Sequence, residues 1–251
     1  SGAAKMEKKA SRIAAEGIAR VAKNNNEVVV AEVNSETDFV AKNEIFQTFV
    51  QLVADTALTS GLNGGKNGED VEALLEMNGL KDELIEKTAT IGEKLSVRRF
   101  EKISGECVAS YLHAGGKIGV IIAADGAADA KEALTNIAMQ VAAMRPLYLN
   151  PEDVPADVLE NERKILKEQV INEGKKAEMA DKIVDGKINK YYKEVCLNEQ
   201  AFVKDGNMDI KTYVKNNNGK VVKMVRFEVG EGMEKRNDNF AEEVMNQVKG
   251  A

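Results

Sequence analysis

Residues 27–43 read EVVVAEVNSETDFVAKN, which joins an apolar, β-branched segment to a polar turn with one aromatic residue. The β-branched part favours a strand, and Asn34 and Ser35 supply side-chain acceptors of the kind that end strands and begin helices. Apolar residues then recur at helical spacing, and Asn43 is a suitable cap for that helix. The sequence therefore predicts a strand, a short presented turn and a helix over about 44–58.

Spacing alone leaves open whether Phe39 is presented or buried. In one continuous helix from Asp38, Phe39 would lie seven residues before Phe46 and on the same face, where aromatic residues usually pack inside. If Asn43 instead caps a separate helix, residues 37–42 form a turn of their own and Phe39 is held out at its tip. Both interpretations fit the periodicity.

The composition is that of a helix-rich globular protein without a basic face for nucleic acid. The 251 residues include 35 Lys+Arg and 41 Asp+Glu, a net charge of -6, whereas nonspecific nucleic-acid binding needs excess positive charge. No apolar run approaches the roughly 18 residues that cross a bilayer, and no secretory pattern begins the chain. We therefore expect a cytoplasmic protein with neither nucleic acid nor a membrane as partner.

Features that would support catalysis or metal binding are weak. Cys107 and Cys196 form no CxxC pair, so we expect buried free thiols, no metal site and no cofactor. Two glycine loops carry Lys66 and Lys117, but neither lysine is followed by the serine or threonine of a phosphate-binding loop. His113 is the only histidine, and no nucleophile or second carboxylate is evident beside it. We expect no catalytic residues; a hydrolase or transferase based on His113 is the weaker alternative.

Amphipathic patterns divide the rest of the chain into helices and strands. Residues 3–23 have an apolar face at helical spacing and predict a helix. A strand over 117–124, a polar turn and a helix over 129–144 repeat the plan of the opening stretch, which indicates a core of two related halves. Two further amphipathic stretches, 155–173 and 175–195, predict a helical hairpin.

Toward the C-terminus, residues 196–208 are irregular and a short helix is expected over 209–217. Alternating apolar and polar residues after residue 219 predict a last strand, and residues 239–248 predict a final helix. The predicted fold class is therefore α+β, with two related core halves of antiparallel strands and packed helices, a helical hairpin insertion and a C-terminal helix.

Several segments together resemble the family of bacterial elongation factor Ts, in the order in which that family has them. They are Glu32-Val33-Asn34 followed by Thr37-Asp38-Phe39-Val40, Ile91-Gly92-Glu93, Arg98-Arg99, Gly116-Lys117-Ile118-Gly119-Val120, and Arg226-Phe227-Glu228-Val229-Gly230-Glu231-Gly232 followed by Glu234-Lys235. The resemblance covers essentially the whole chain. It implies a guanine-nucleotide exchange factor for elongation factor Tu, a protein of translation elongation that does no covalent chemistry.

The resemblance also implies two contacts with elongation factor Tu. The first comes from the polar turn, residues Thr37, Asp38, Phe39 and Val40. It would enter the partner beside its switch region and displace groups that hold the partner's own Mg²⁺. The second comes from the end of a helix, residues Met139, Gln140 and Val141. It would reach toward the partner's phosphate-binding loop, although some family members have a histidine where Gln140 stands, so no imidazole-specific role carries over.

The same resemblance implies a division of the chain. Residues 1–23 would be a linker helix after an N-terminal helical domain that is absent here, followed by core halves over 24–104 and 105–235. An insertion at about 175–217 would project as a hairpin for homodimer contacts, and a C-terminal module, 236–251, would touch the partner's nucleotide-binding domain. A structural protein that dimerises through the hairpin is the alternative to an exchange factor.

Overall fold

Two antiparallel sheets form the centre of the fold in the computed structural model, which describes residues 1–126, 130–236 and 248–250. The first sheet contains β1 (Glu16–Lys23), β2 (Glu27–Ser35), the short β3 (Gly64–Gly65) and β4 (Ser96–Ser104), in the spatial order β1-β2-β4-β3. The second sheet contains β5 (Cys107–His113), β6 (Ile118–Asp125) and β9 (Lys220–Glu228), in the order β5-β6-β9. A separate ribbon is formed by β7 (Ala201–Phe202) and β8 (Asp205–Asp209).

Helices connect these strands and make the fold α+β, as predicted. They are α1 (Gly2–Lys9), α2 (Asp38–Ala41), α3 (Glu44–Thr59), α4 (Val71–Leu75), α5 (Leu80–Ile91), α6 (Lys131–Met144), α7 (Ala156–Asn172), α8 (Ala177–Val195) and α9 (Ile210–Asn216). The helix α3 packs on β1 and β2, and α6 packs on β5 and β6.

Both sheets follow one plan. Each begins with a hairpin, β1–β2 or β5–β6, continues through helices, and returns with a strand antiparallel to the second strand of the hairpin. The predicted strand, turn and helix repeat is therefore present in the topology, with β2 and α3 in one half and β6 and α6 in the other.

The strand β2 is buried on both faces because the two sheets pack against each other. Val29 and Ala31 belong to the core beneath α3, and Val28 and Val30 belong to the core between the sheets, together with Phe227 of β9. A strand enclosed on both faces is expected to be apolar along its whole length rather than alternating. This position explains the β-branched run Val28-Val29-Val30.

The segment 16–23 forms β1 and not the predicted helix, which ends at Lys9. It pairs with β2 along its whole length, and at Gly17 φ is 134° and a Cβ atom would lie 2.1 Å from the carbonyl oxygen of Val33. Glycine permits this close approach, and sheet pairing overrides the helical spacing. The linker helix predicted over 1–23 is therefore wrong beyond α1.

The helical hairpin consists of α7 and α8, which pack antiparallel around a small core of their own. That core contains Val170, Ala180, Val184 and Ile188. The predicted bounds of 175–217 are wrong at both ends, because they omit α7 and include residues that pack beneath α6. Those residues include Leu197, Phe202, Ile210 and Val214. The helix start predicted at residue 129, the final helix predicted over 239–248 and most of the predicted module 236–251 lie outside the described residues.

A buried carboxylate joins the two sheets. Glu32 is fully buried, and its oxygens accept hydrogen bonds from Arg99 Nε at 2.6 Å and from the backbone N–H of Gly230 at 2.9 Å. The β2–β4 register shifts beside Glu32, and Arg98 also donates to this carboxylate, at 3.2 Å. An extra residue in β4 thus allows two consecutive arginines to reach one acid. The Arg99 guanidinium lies 4.1 Å above the ring of Phe227.

We predict that Glu32→Ala lowers the free energy of unfolding by about 3–5 kcal/mol, because it leaves a buried arginine without its carboxylate. Denaturant titration measures this change. The control is Glu86→Ala, which removes only an exposed pair with Lys87 at 3.8 Å and is expected to cost less than about 1 kcal/mol. A Glu32→Ala loss as small as the control's would contradict the assigned role of the buried network.

Both cysteines are free and buried, as predicted. Burial raises the pKa of the Cys196 thiol to about 11, so at pH 8 only about one molecule in a thousand carries the reactive thiolate. We expect the folded protein to react with iodoacetamide at Cys196 at least about a hundredfold more slowly than the unfolded chain does. Mass spectrometry of timed samples measures both rates, and equal rates would refute the burial.

Candidate functional site

Two carboxylates hold the turn after β2. Glu93 binds the backbone of the turn, and Glu36 of the turn binds the backbone beside Glu93. One oxygen of Glu93 accepts hydrogen bonds from the backbone N–H groups of Glu36 and Thr37, both at 3.1 Å, and the other accepts from the Thr37 hydroxyl at 2.7 Å. In return, the Glu36 carboxylate accepts from the backbone N–H of Lys94 at 2.9 Å. We call this arrangement the Glu36–Glu93 clasp.

Capping then separates the turn from the long helix. Thr37 caps α2, and its hydroxyl accepts from the backbone N–H of Val40 at 3.4 Å. Asn43 caps α3, and its side-chain oxygen accepts from the backbone N–H of Ile45 at 2.8 Å. Because α2 and α3 are separate helices, Phe39 does not continue the apolar face of α3. Its side chain is 87% exposed, whereas Phe46 is fully buried.

The presented interpretation of the turn is therefore confirmed for Phe39, and the alternative of a core aromatic is wrong. In addition, Ile45 at the start of α3 is 47% exposed. A large aromatic exposed on an ordered turn is available for contact with another molecule.

Asp38 shares the turn with Phe39 and carries two ion pairs. Lys117 Nζ lies 2.6 Å from one carboxylate oxygen, and Lys42 Nζ lies 3.1 Å from the other. The hydrogen bond from Lys117, and then that from Lys42, hold the pKa of Asp38 below its ordinary value. Asp38 in turn raises the pKa of Lys117. The pairing is therefore intact at neutral pH and is lost when pH falls through the lowered pKa of Asp38.

The three residues of the second predicted contact differ in their exposure. Gln140 and Val141 are fully buried, and only Met139 is partly exposed. Gln140 donates to the backbone oxygen of Ala201 at 3.0 Å and accepts from the backbone N–H of Val203 at 2.9 Å. The side chain of Gln140 thus fixes the β7 segment on α6, which corrects the expectation that it faces a partner.

The exposed end of α6 borders a cavity in the second half of the core. Met139 and Val203 line a cavity of about 460 Å³ together with Tyr111, His113 and Ile118. Ile118 follows Lys117, which contacts Asp38. The start of β6 thus contacts the turn through Lys117 on one face and borders the α6 cavity through Ile118 on the other. A hydrogen bond of 3.0 Å joins the His113 ring to the Tyr111 hydroxyl.

Sequence reasoning found Thr37 to Val40 but gave no role to Glu93 or Lys117. Their partners in the turn are 56 and 79 residues away along the chain, so local spacing holds no sign of either contact. Both residues do fall within segments that resemble the elongation factor Ts family.

The described ranges show neither a metal cluster nor a membrane span. Within them, no group of three or more His, Cys, Asp or Glu side chains is placed to hold a metal ion. Among the described helices, none is both long enough and apolar enough to cross a membrane.

An ordered turn that exposes an aromatic side chain is typical of a protein that acts by binding another protein. The family model described as Elongation factor TS matches residues 36–231, a range that begins at the clasp and includes the hairpin. The chain therefore belongs to the elongation factor Ts family. Proteins of this family act in protein biosynthesis, at translation elongation.

We predict that Phe39→Ala changes the free energy of unfolding by less than about 0.5 kcal/mol, because the ring is exposed and removing it leaves no cavity. The matched control is Phe46→Ala, which removes a fully buried ring and should cost about 3–5 kcal/mol. Denaturant titration of both variants measures the difference. A Phe39→Ala loss above about 1 kcal/mol would show that the ring packs inside.

Proposed function

We propose that this protein is a guanine-nucleotide exchange factor that binds elongation factor Tu·GDP and promotes release of GDP. The observation that carries the proposal is the 87% exposure of Phe39 on a turn whose backbone is fixed by the Glu36–Glu93 clasp. Membership of the elongation factor Ts family supports the choice of partner. Such a role belongs in the cytoplasm and needs neither nucleic acid nor a membrane as direct partner.

An exchange factor loosens a nucleotide by binding the nucleotide-free partner more tightly than the nucleotide-bound one, since the coupling between the two ligands is reciprocal. Each tenfold of loosening requires about 1.4 kcal/mol of differential binding. Burial of one Phe side chain contributes about 1.5–3 kcal/mol, so Phe39 alone accounts for one or two powers of ten. Any larger effect requires a second contact.

The clasp reduces the conformational entropy that the turn loses on binding, so more of the free energy of burying Phe39 contributes to affinity. A flexible turn would lose conformational freedom when it docked, and that loss would offset part of the gain from burying Phe39. Here the backbone N–H groups of Glu36 and Thr37 are already bonded to Glu93 in the free protein. The turn is thus ordered before it meets the partner.

At the partner, we propose that Phe39 occupies an apolar position beside the switch region and that Asp38 enters with it. The groups that hold the partner's Mg²⁺ next to the GDP phosphates would then be displaced. Mg²⁺ neutralises phosphate charge, so its loss would weaken GDP binding. The Mg²⁺ belongs to elongation factor Tu, and this chain would act only on the groups around it.

The second contact is proposed at the exposed end of α6. Met139, Met144 and Leu147 are the apolar side chains available there, with Met144 and Leu147 exposed by 47% and 67%. The start of β6 borders the cavity beside Met139 through Ile118 and contacts the turn through Lys117, and we propose that both contacts engage one partner.

Homodimerisation through the hairpin is a second candidate function. The hairpin exposes three large apolar side chains, Ile165, Ile171 and Met179, by 41–59%. Apolar side chains on a projecting helical pair fit a contact between two copies of the chain. This role is compatible with exchange, and an experiment can separate the two.

The test uses elongation factor Tu loaded with a fluorescent GDP and an excess of unlabelled GDP. We expect the chain, at one tenth of the concentration of elongation factor Tu, to release all of the labelled nucleotide faster than it leaves unaided. Release limited to one nucleotide per added chain, or no acceleration, would contradict the proposal.

In the same assay, we predict that Phe39→Ala lowers the rate of catalysed GDP release at least about tenfold, the effect of losing about 1.4 kcal/mol of differential binding. The control is Met179→Ala, which removes a 59% exposed apolar side chain from the hairpin. We expect it to retain exchange. If Met179→Ala abolished exchange while Phe39→Ala did not, the hairpin and not the turn would carry the function.

A further inference from the structure

Lys117 is the residue through which the second half of the core contacts the presented turn. Its ammonium group lies 2.6 Å from Asp38 of α2 and 3.6 Å from Glu16 of β1. One lysine at the start of β6 therefore bridges two carboxylates of the first half.

The backbone that carries Lys117 is fixed on both sides. Its N–H group donates to the His113 carbonyl at 3.0 Å, and its carbonyl accepts from the N–H of Val229 at 2.9 Å. The preceding residue, Gly116, accepts from the backbone N–H of Ala19 at 2.7 Å. At Gly116, φ is 105° and a Cβ atom would lie 2.7 Å from the Ala19 carbonyl oxygen, so glycine is required for this approach.

The helix α2, by contrast, has only four residues. A single helical turn is not stable without tertiary contacts. The Glu36–Glu93 clasp fixes the chain up to Thr37, but Phe39 and Lys42 beyond it are exposed. Ala41 is the buried residue of α2. The ion pair of Asp38 with Lys117 is therefore a polar contact that ties α2 to the other half of the core.

The two lysines that contact Asp38 are not equivalent. Lys42 lies four residues after Asp38 in the same short segment, so it moves with α2 and cannot orient α2 relative to the core. Lys117 belongs to a separate, fixed element. Ala41 and Val40 pack α2 on the first half of the core, and the ion pair with Lys117 adds a contact that relates the direction of the turn to the second half.

We propose that Lys117 is a positioning residue: its ion pair with Asp38 sets the orientation of α2 and thus the direction in which Phe39 is presented. The inference rests on the proposed exchange function. It means that a residue of the second half of the core supports the contact that the turn makes with elongation factor Tu. Lys117 and Asp38 are 43% and 41% exposed, so their pair adds little to global stability. Instead, the ion pair raises the fraction of molecules in which α2 presents Phe39 in the orientation that binds the partner.

The first measurement is made on the chain without any partner. In Lys117→Met we expect the backbone N–H groups of Ala41 and Lys42 to exchange with deuterium at least about threefold faster than in the unaltered protein, because local opening of α2 becomes easier. Amides of α3 should keep their rates, and the thermal midpoint should not change. Lys117→Arg, which restores a cation, should restore slow exchange. Unchanged exchange at Ala41 and Lys42 in Lys117→Met would overturn the proposal.

The second measurement separates positioning from direct contact. If α2 is placed correctly in only a fraction of molecules, apparent affinity falls by that fraction while turnover of the bound complex does not. We expect Lys117→Met to raise KM for elongation factor Tu·GDP about three- to tenfold, with kcat within about twofold. Lys42→Met should change KM by less than about twofold. Lys223→Met, which removes the pair of a 59% exposed lysine of β9 with Glu101 of β4, should have no effect on KM.

A fall in kcat at unchanged KM would mean that Lys117 acts on the partner directly and would overturn the positioning role. If the unaltered protein did not accelerate GDP release from elongation factor Tu, only the proposed function would be refuted. The positioning role of Lys117 would still be tested by deuterium exchange, which needs no partner. The two failures are therefore distinguishable.

Discussion

Burial of β2 on both faces is the constraint on which the rest of the structure depends. One face packs beneath α3, the other packs against the second sheet, and both edges pair with neighbouring strands. A shift of register by one residue would turn every side chain of such a strand to the wrong face. The turn that follows Ser35 thus starts from a fixed point, and the Glu36–Glu93 clasp extends the fixed backbone to Thr37.

The site therefore combines a rigid base with an exposed tip. Buried Glu32 ties β2 to both arginines of β4 and to Gly230 after β9, so the strand that leads to the turn is held by both halves of the core. The exposed tip can therefore contact a partner while β2 beneath it stays folded. Preorganisation of this kind leaves more of the apolar burial energy for binding, which is what an aromatic residue needs if it is to act in exchange.

Local patterns in the sequence predicted the elements next to the turn but not the contacts that hold it. The β-branched run, the Asn43 cap and the spacing of α3 are local features, and the structure confirms them. The strand β1 was not predictable from spacing, because only pairing with β2 reveals the need for Gly17. The partners of Glu93, Lys117 and Gln140 are distant in sequence, so their roles depend on tertiary structure.

In the proposed function, binding of this chain and binding of GDP to elongation factor Tu oppose each other. Titration calorimetry of the chain against nucleotide-free and GDP-bound elongation factor Tu measures this coupling directly. We predict an affinity for the nucleotide-free form that is higher by at least about tenfold. Equal affinities for the two forms would contradict it, because a protein that binds both states equally cannot shift the equilibrium between them.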